Sequence, residues 1–448
     1  MMLQKSVFYR KKPEAGIYEG GNMKIKFFKL IGLSLSLLPG MILSTIIDPS
    51  NASASGFAVY PRGAEGLAMQ HNVIAHTEGP NSNYYNPALI TELKGTQIES
   101  GSTLIFPSRE FESDQTGRTE KAKNQICYPG AFSLTHQLSS RFTMGISVFN
   151  PFGLGNDWGK KWEGRYLATN SELLTFNINP NIAWKVSDRL AVAGGLDFLY
   201  LDATLEKNIN FSTYGLPDGK QKFEGDGDGF GYNLGLVYHL NEDWSFGASY
   251  RSKITVDTEG NGKFGLPQNT PALLRSYFPN TDGSVDVELP AQLFFGLCCK
   301  GIDKLTVELG GRWEGWSRYE KLAFKFDQPI AGSRSSVSEK NWNNVMSYSV
   351  GAKYDVNDTL AILAGYRFED NPVPGDTFEP AVLGSDVHSI ALGVKKRFGR
   401  LVTCATYNYR KYESRKKNNS LGANSGGTAN GKYSVDMHVV GASVSYEF

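Results

Sequence analysis

Residues 232–251, YNLGLVYHLNEDWSFGASYR, contain two runs in which side chains of opposite character alternate around a polar turn. In the first, Tyr232, Leu234, Leu236, Tyr238 and Leu240 interleave with Asn233, Gly235, Val237 and His239. In the second, Trp244, Phe246, Ala248 and Tyr250 interleave with Ser245, Gly247, Ser249 and Arg251. A β-strand turns successive side chains to opposite faces, so each set occupies one face. The C-terminus repeats the pattern: His438, Val440, Ala442, Val444, Tyr446 and Phe448 against Val439, Gly441, Ser443, Ser445 and Glu447. A soluble sandwich also alternates. Here, however, the apolar face carries aromatics near the strand ends and the other face carries Asn, Ser, Arg and Glu. Lipid outside and a polar lumen inside give that distribution.

The connections point the same way. Short polar turns recur at 138–141, 186–189, 240–243, 301–304, 356–359 and 397–400, and long polar segments at 208–227, 260–286, 320–341 and 413–431 lie between them. Short turns on one rim and long loops on the other are the habit of outer-membrane barrels, and this spacing predicts roughly fourteen antiparallel strands. The terminal Phe448, preceded by Tyr446, ends an alternating strand and resembles the signal read by the barrel-assembly machinery.

Ahead of the barrel, residues 55–95 mix Gly, Pro and Asn with Phe57, Val59, Tyr60, Leu67, Met69, Val73 and Ile74 and follow no period. So much apolar content favours a packed plug over a disordered tail. Further upstream, Lys24, Lys26 and Lys29 precede an apolar stretch at 30–38, and Ala52-Ser53-Ala54 supplies the small residues that signal peptidase needs. This reads as a secretory signal beginning at Met23, the polar residues 1–22 adding nothing to it; Pro39-Gly40 interrupts the run and weighs against a membrane anchor. The expected division is therefore 1–54 upstream extension and signal, 55–95 plug, and 96–448 barrel. N-terminal sequencing of the protein from the membrane fraction is expected to begin Ser55-Gly56-Phe57; an intact Met1 or Met23 would refute the cleavage.

Bulk properties exclude other classes. With 46 basic and 45 acidic residues the net charge is +1, without the basic footprint of a nucleic-acid binder. Mean hydropathy is −0.32, and after the signal no run of apolar residues is long enough for a membrane helix. Cys127, Cys298, Cys299 and Cys404 lack zinc-finger spacing, and the adjacent pair should face opposite ways on a strand; a disulfide from Cys127 to a later cysteine stays open.

Apparent catalytic motifs fail on inspection. Gly260-Asn261-Gly262-Lys263-Phe264-Gly265 fits G-x-G-x-x-G, but Pro267 and Pro271 forbid the helix that must follow, so it reads as loop. Asp226-Gly227-Asp228-Gly229 lacks the third ligand and the closing Glu of a calcium loop. The six histidines (His71, His76, His136, His239, His388, His438) show no close ligand pair in sequence, and His71 and His76 read as solvated or packed residues of the plug. No nucleophile elbow occurs. No enzyme activity, cofactor or metal is expected.

At Asn86-Pro87-Ala88-Leu89-Ile90 the chain resembles the long-chain fatty acid outer-membrane transporter (FadL) family, which includes aromatic hydrocarbon uptake members. Ser55-Gly56-Phe57, Pro151-Phe152-Gly153-Leu154, Trp162-Glu163-Gly164-Arg165-Tyr166 with Glu172, Tyr250-Arg251-Ser252, Pro372-Val373-Pro374 and Gly431-Lys432-Tyr433 follow in family order. The resemblance implies an all-β fold, a transmembrane antiparallel β-barrel of about 14 strands with an N-terminal hatch in the lumen. It implies a monomer in the Gram-negative outer membrane, surrounded by lipid and lipopolysaccharide and folded by the barrel-assembly machinery. Its ligand would be a hydrophobic molecule, a long-chain fatty acid first and an aromatic or alkane hydrocarbon as the alternative; a surface adhesin barrel is the reading from outside the family. Uptake would be passive. Asn86, Pro87 and Ala88 would form the hatch motif, and Pro151, Phe152 and Gly153 a lateral exit where the third strand kinks. Phe57 and Lys207 would bind ligand, Lys207 matching a basic residue at the end of the family's fifth strand. For the family's second basic ligand, before Trp342, Arg334 and Lys340 are merely nearby, which leaves neutral hydrocarbons open.

Overall fold

Alternation over most of the chain becomes a closed ring of fourteen antiparallel strands in the computed structural model, which describes residues 56–59 and 63–448. The strands are β1 Thr96–Ser113, β2 Gly130–Gln137, β3 Phe142–Phe149, β4 Asn170–Lys185, β5 Leu190–Ile209, β6 Gly219–His239 and β7 Trp244–Arg251. The second half comprises β8 Gln292–Ile302, β9 Leu305–Glu314, β10 Val345–Asn357, β11 Leu360–Glu369, β12 Val387–Phe398, β13 Leu401–Tyr412 and β14 Gly431–Glu447. Each pairs with the next, and β14 returns to β1 in register from Gln97↔Glu447 to Ser113↔Gly431, so the ring leaves no free edge. The expected signal and its cleavage site lie outside the described residues.

The faces fall as the alternation requires. On β6, Leu234 is exposed to the lipid side and Asn233 is buried in the lumen; on β7, Trp244 and Phe246 face out while Ser245, Ser249 and Arg251 face in. Outward aromatics gather at two levels. Phe142 stacks on Trp184 near the short turns, and Phe198, Phe230, Tyr232 and Tyr250 sit toward the opposite rim. All six expected short turns join consecutive strands at one end of the barrel.

The long polar segments differ from expectation. Residues 208–227 are largely strand, because β5 and β6 run on past the apolar band. Ile254–Gly265 and Thr281–Leu289 form a hairpin extension, and Lys321–Ile330 pairs with Ser333–Glu339. Gly260-Asn261-Gly262-Lys263-Phe264-Gly265 is therefore strand, paired with β6, and not loop. Beyond the membrane, lipid no longer imposes an apolar outer face, so strands there lose their alternating signature. Among the described residues the four cysteines are free thiols, with Cys298 buried and Cys299 half-exposed on the opposite face.

The segment preceding β1 lies against the inner wall, with short helices α1 Ala64–Ala68 and α2 Ser82–Tyr85 and a 3₁₀ turn Pro87–Glu92. Its backbone comes so close to the strands that the inward positions Gly247 and Gly351 could not carry a side chain without striking the Ile74 or Met69 carbonyl. Its polar groups are held by buried partners. The Asn86 amide donates to the Ile74 and Leu236 carbonyls at 2.8 Å and its oxygen caps the Ala88 N–H, with Pro87 in the first-turn position where its missing N–H costs nothing. Arg251 on β7 donates to Asp197 at 2.7 Å and to the Tyr84 carbonyl at 3.0 Å.

Candidate functional site

Above this packed segment, on the side away from the short turns, the extended strands enclose a cavity with about 970 Å³ of atom-free space, part of it open to solvent. Its walls come from β4, β5 and β6, from both hairpin extensions and from the 379–382 stretch. Most of the lining is apolar: Leu154, Leu173, Leu201 and Leu205 on one side, and Phe223, Phe324 and Phe326 stacked face to face on the other, with ring centroids 5.1 and 5.5 Å from Phe223. An apolar lining with a few polar groups gathered at one end suits a hydrophobic molecule.

Charge enters at one end. The Lys340 ammonium is ion-paired with Glu379 beside the Tyr319 ring, and all three line the cavity. Burial presses Lys340 toward neutrality, but the Glu379 carboxylate and Tyr319 more than offset it, so its pKa lies above the ordinary lysine value and the ammonium stays charged. Lys207 on β5, two residues beyond the lining Leu205, lies within electrostatic reach of the same pair without lining the cavity itself. Arg334 is exposed on its hairpin and bonds the Asp327 carbonyl. Of the two basic residues near Trp342, Lys340 is the one in the cavity. Sequence reasoning passed over it because its partner, Glu379, is 39 residues away.

Phe57 closes the cavity's inner end. Its ring sits edge-on to Trp316, Tyr319 and Phe152 at 4.8, 5.5 and 6.1 Å. Gly56 makes that placement possible: its φ of +63° is left-handed, and a Cβ there would stand 2.7 Å from Trp342 and 2.9 Å from Trp316.

The wall beside Phe57 is irregular. β3 ends at Phe149, opposite Asn177, and strand resumes at Gly153–Asp157 with Gly153 opposite Leu174. Four steps on one strand against three on the other make a bulge, as Pro151 and Gly153 predict. The backbone there is satisfied outside the ladder. The Asn150 amide donates to the Thr175 carbonyl at 2.7 Å, and the Thr175 hydroxyl accepts from the Phe152 N–H and donates to the Phe152 carbonyl. On the inner side the N-terminal segment completes the pairing: the Val59 N–H donates to the Pro151 carbonyl at 2.9 Å, the Gly153 N–H to the Phe57 carbonyl at 2.8 Å, and Ala58 bridges Phe152.

A second polar centre lies near the short turns. His76, in the N-terminal segment, places Nδ1 2.6 Å from Glu308 of β9, and the Ile74 and Ala75 N–H groups donate to the same carboxylate. Burial disfavours the imidazolium, but Glu308 outweighs it and holds the His76 pKa well above its usual value. Glu78 is buried too, yet Lys395 and Lys353, each 2.7 Å away, keep its carboxyl well below the usual range. Of the two readings its sequence neighbourhood allowed, His76 is the packed residue and not the solvated one, and it is ion-paired as well.

Residues 46–448 match the family model described as "Outer membrane protein transport protein (OMPP1/FadL/TodX)". The chain is 22% identical over 398 residues to the long-chain fatty acid transport protein of Escherichia coli O6:H1, covering 80% of this chain and 87% of that one. It is 22% identical over 385 residues to outer membrane protein P1 of Haemophilus influenzae, covering 76% and 80%. Among solved structures, a Pseudomonas aeruginosa FadL homologue superposes with a TM-score of 0.78 at 17% identity, over 88% of this chain and all of that one. The Pseudomonas putida toluene transporter TodX gives 0.69 at 18%, over 90% and 99%.

Proposed function

Because this chain belongs to the outer membrane protein transport protein family (OMPP1/FadL/TodX), a family of outer-membrane channels for hydrophobic substrates and not of enzymes, we propose that it carries long-chain fatty acids inward through the cavity and out sideways at the β3 bulge. One observation carries the route: Phe57 both lines the cavity and, through its carbonyl, pairs with Gly153 at the bulge. Movement of the hatch, residues 55–95, that withdraws Phe57 would open the cavity and unpair the bulge together. Passage can then be passive. Each buried methylene favours the cavity over water by about 0.8 kcal/mol, and a sideways exit hands the chain from one apolar medium to another.

The head group is recognised at Lys340. Glu379 already occupies that ammonium, with Lys207 nearby, so the end of the cavity is built around a carboxylate. A fatty acid would exchange its own carboxylate for that of Glu379. The same ion pair supports a second reading, uptake of a neutral hydrocarbon, since Lys340 needs no further partner while Glu379 stays.

Binding to the purified protein separates the two. Lys340→Met is expected to weaken a long-chain fatty acid about tenfold to a hundredfold, the worth of a charge-assisted hydrogen bond, and to leave an alkane of equal length unchanged. Lys207→Ala should act in the same direction, and Glu379→Gln should tighten the acid alone. Equal losses for acid and alkane would overturn head-group recognition; an acid no better bound than the alkane by wild type would favour the hydrocarbon.

A further inference from the structure

Two inward side chains of the wall face each other across one rung: Cys298 on β8 is directly opposite Glu308 on β9, and both are fully buried. His76 reaches them from the N-terminal segment. One ligating atom from each of the three lies within 4.8 Å of the others. An imidazole nitrogen, a thiol sulfur and a carboxylate oxygen converging from three separate parts of the chain form the donor set of a borderline-soft divalent ion.

His76 turns Nδ1 to Glu308 at 2.6 Å and pairs Nε2 with Glu78 Oε1 at 3.4 Å. A liganding imidazole ordinarily turns its other nitrogen to a carboxylate, which Glu78 supplies here. Glu308 is already oriented by the Ile74 and Ala75 N–H groups, which fix a liganding carboxylate without using all its lone pairs.

We propose that His76, Cys298 and Glu308 bind one zinc-class divalent ion, with the fourth position open to water. The ion displaces the thiol proton of Cys298 and the proton between His76 and Glu308. Those two groups then part from hydrogen-bond contact to the roughly 3.3–3.8 Å that ligands about 2.0–2.3 Å from a tetrahedral zinc keep between them. The bound ion staples the N-terminal segment to the wall near the short turns.

The test uses the folded protein in detergent micelles, stripped with chelator and titrated with Co²⁺. One equivalent should produce a thiolate-to-cobalt charge-transfer band that one equivalent of Zn²⁺ abolishes. Cys298→Ser should lose the band while keeping its heat-modifiable mobility, and a variant with the other three cysteines as serine should retain it. His76→Gln should weaken Co²⁺ about tenfold or more. A folded wild type without the band, or a Cys298→Ser protein that keeps it, overturns the site. The effect on uptake rests on the hatch reading and is scored separately. Zn²⁺ should slow wild-type uptake and spare Cys298→Ser; a bound ion with unchanged uptake would refute hatch movement and leave the site standing.

Discussion

Glu369→Ala is expected to destabilise the folded barrel by about 3–5 kcal/mol, the usual consequence of removing one partner from a buried ion cluster. Glu369 ends β11 fully buried and answers three guanidinium groups: Arg410 at 3.0 Å, Arg312 at 3.7 Å, and Arg367 beside it. Glu314, 3.2 Å from Arg312, is the second carboxylate of the layer. Without Glu369, Arg367 and Arg410 lose the carboxylate that pairs them, in a site that water cannot readily reach, and Arg312 keeps Glu314. Urea unfolding of the variant in detergent, followed by loss of the heat-modifiable band, should show the midpoint falling by that amount. Glu369→Gln should fall less, because an amide oxygen still accepts hydrogen bonds. A loss below about 1 kcal/mol for Glu369→Ala would mean that the layer behaves as a solvent-exposed network.

Such a layer was visible in the sequence only as polar residues on the inward face, where Arg251, Arg312, Glu314, Arg367, Glu369 and Arg410 all fall by alternation. Alternation is a local property, and lipid enforces it residue by residue along each strand, so the barrel could be read from runs such as 232–251 and its fourteen strands from the recurrence of the short turns. The bulge was legible for a related reason, since Pro151 and Gly153 act on their own backbone. Where lipid ends, that enforcement ends, and the segments 208–227 and 260–286 read as loops though strand occupies much of each. The contacts that make the candidate sites are non-local. Lys340 with Glu379, and His76 with Cys298 and Glu308, are joined by barrel closure across up to 232 residues, which no spacing rule can anticipate. Lys207 shows the intermediate case: its chemistry was readable, but its place beside the cavity, not in its lining, depends on where β5 leaves the membrane.

Gly153→Val is expected to leave the barrel assembled and the cavity able to bind ligand while slowing uptake about 5- to 150-fold. The estimate treats the valine as overpacking of 1–3 kcal/mol at the narrowest point of the route, a cost met only by a molecule in passage. Assembly should survive because Gly153 sits in an extended ladder opposite Leu174, where a β-branched residue is at home. Binding should survive because the side chain that faces the cavity is the neighbouring Leu154. Among the described residues, Val59 N–H to Pro151 and Gly153 N–H to Phe57 tie the exit to the N-terminal segment, so withdrawal of residues 57–59 breaks both bonds together. Valine would narrow the gap that this withdrawal creates. Uptake of a labelled fatty acid by cells carrying the variant, set beside binding by the purified protein, separates the two effects. A correctly assembled Gly153→Val protein with wild-type uptake would remove Gly153 from the exit and place the opening elsewhere in the wall; loss of binding in parallel with uptake would instead assign Gly153 to the cavity.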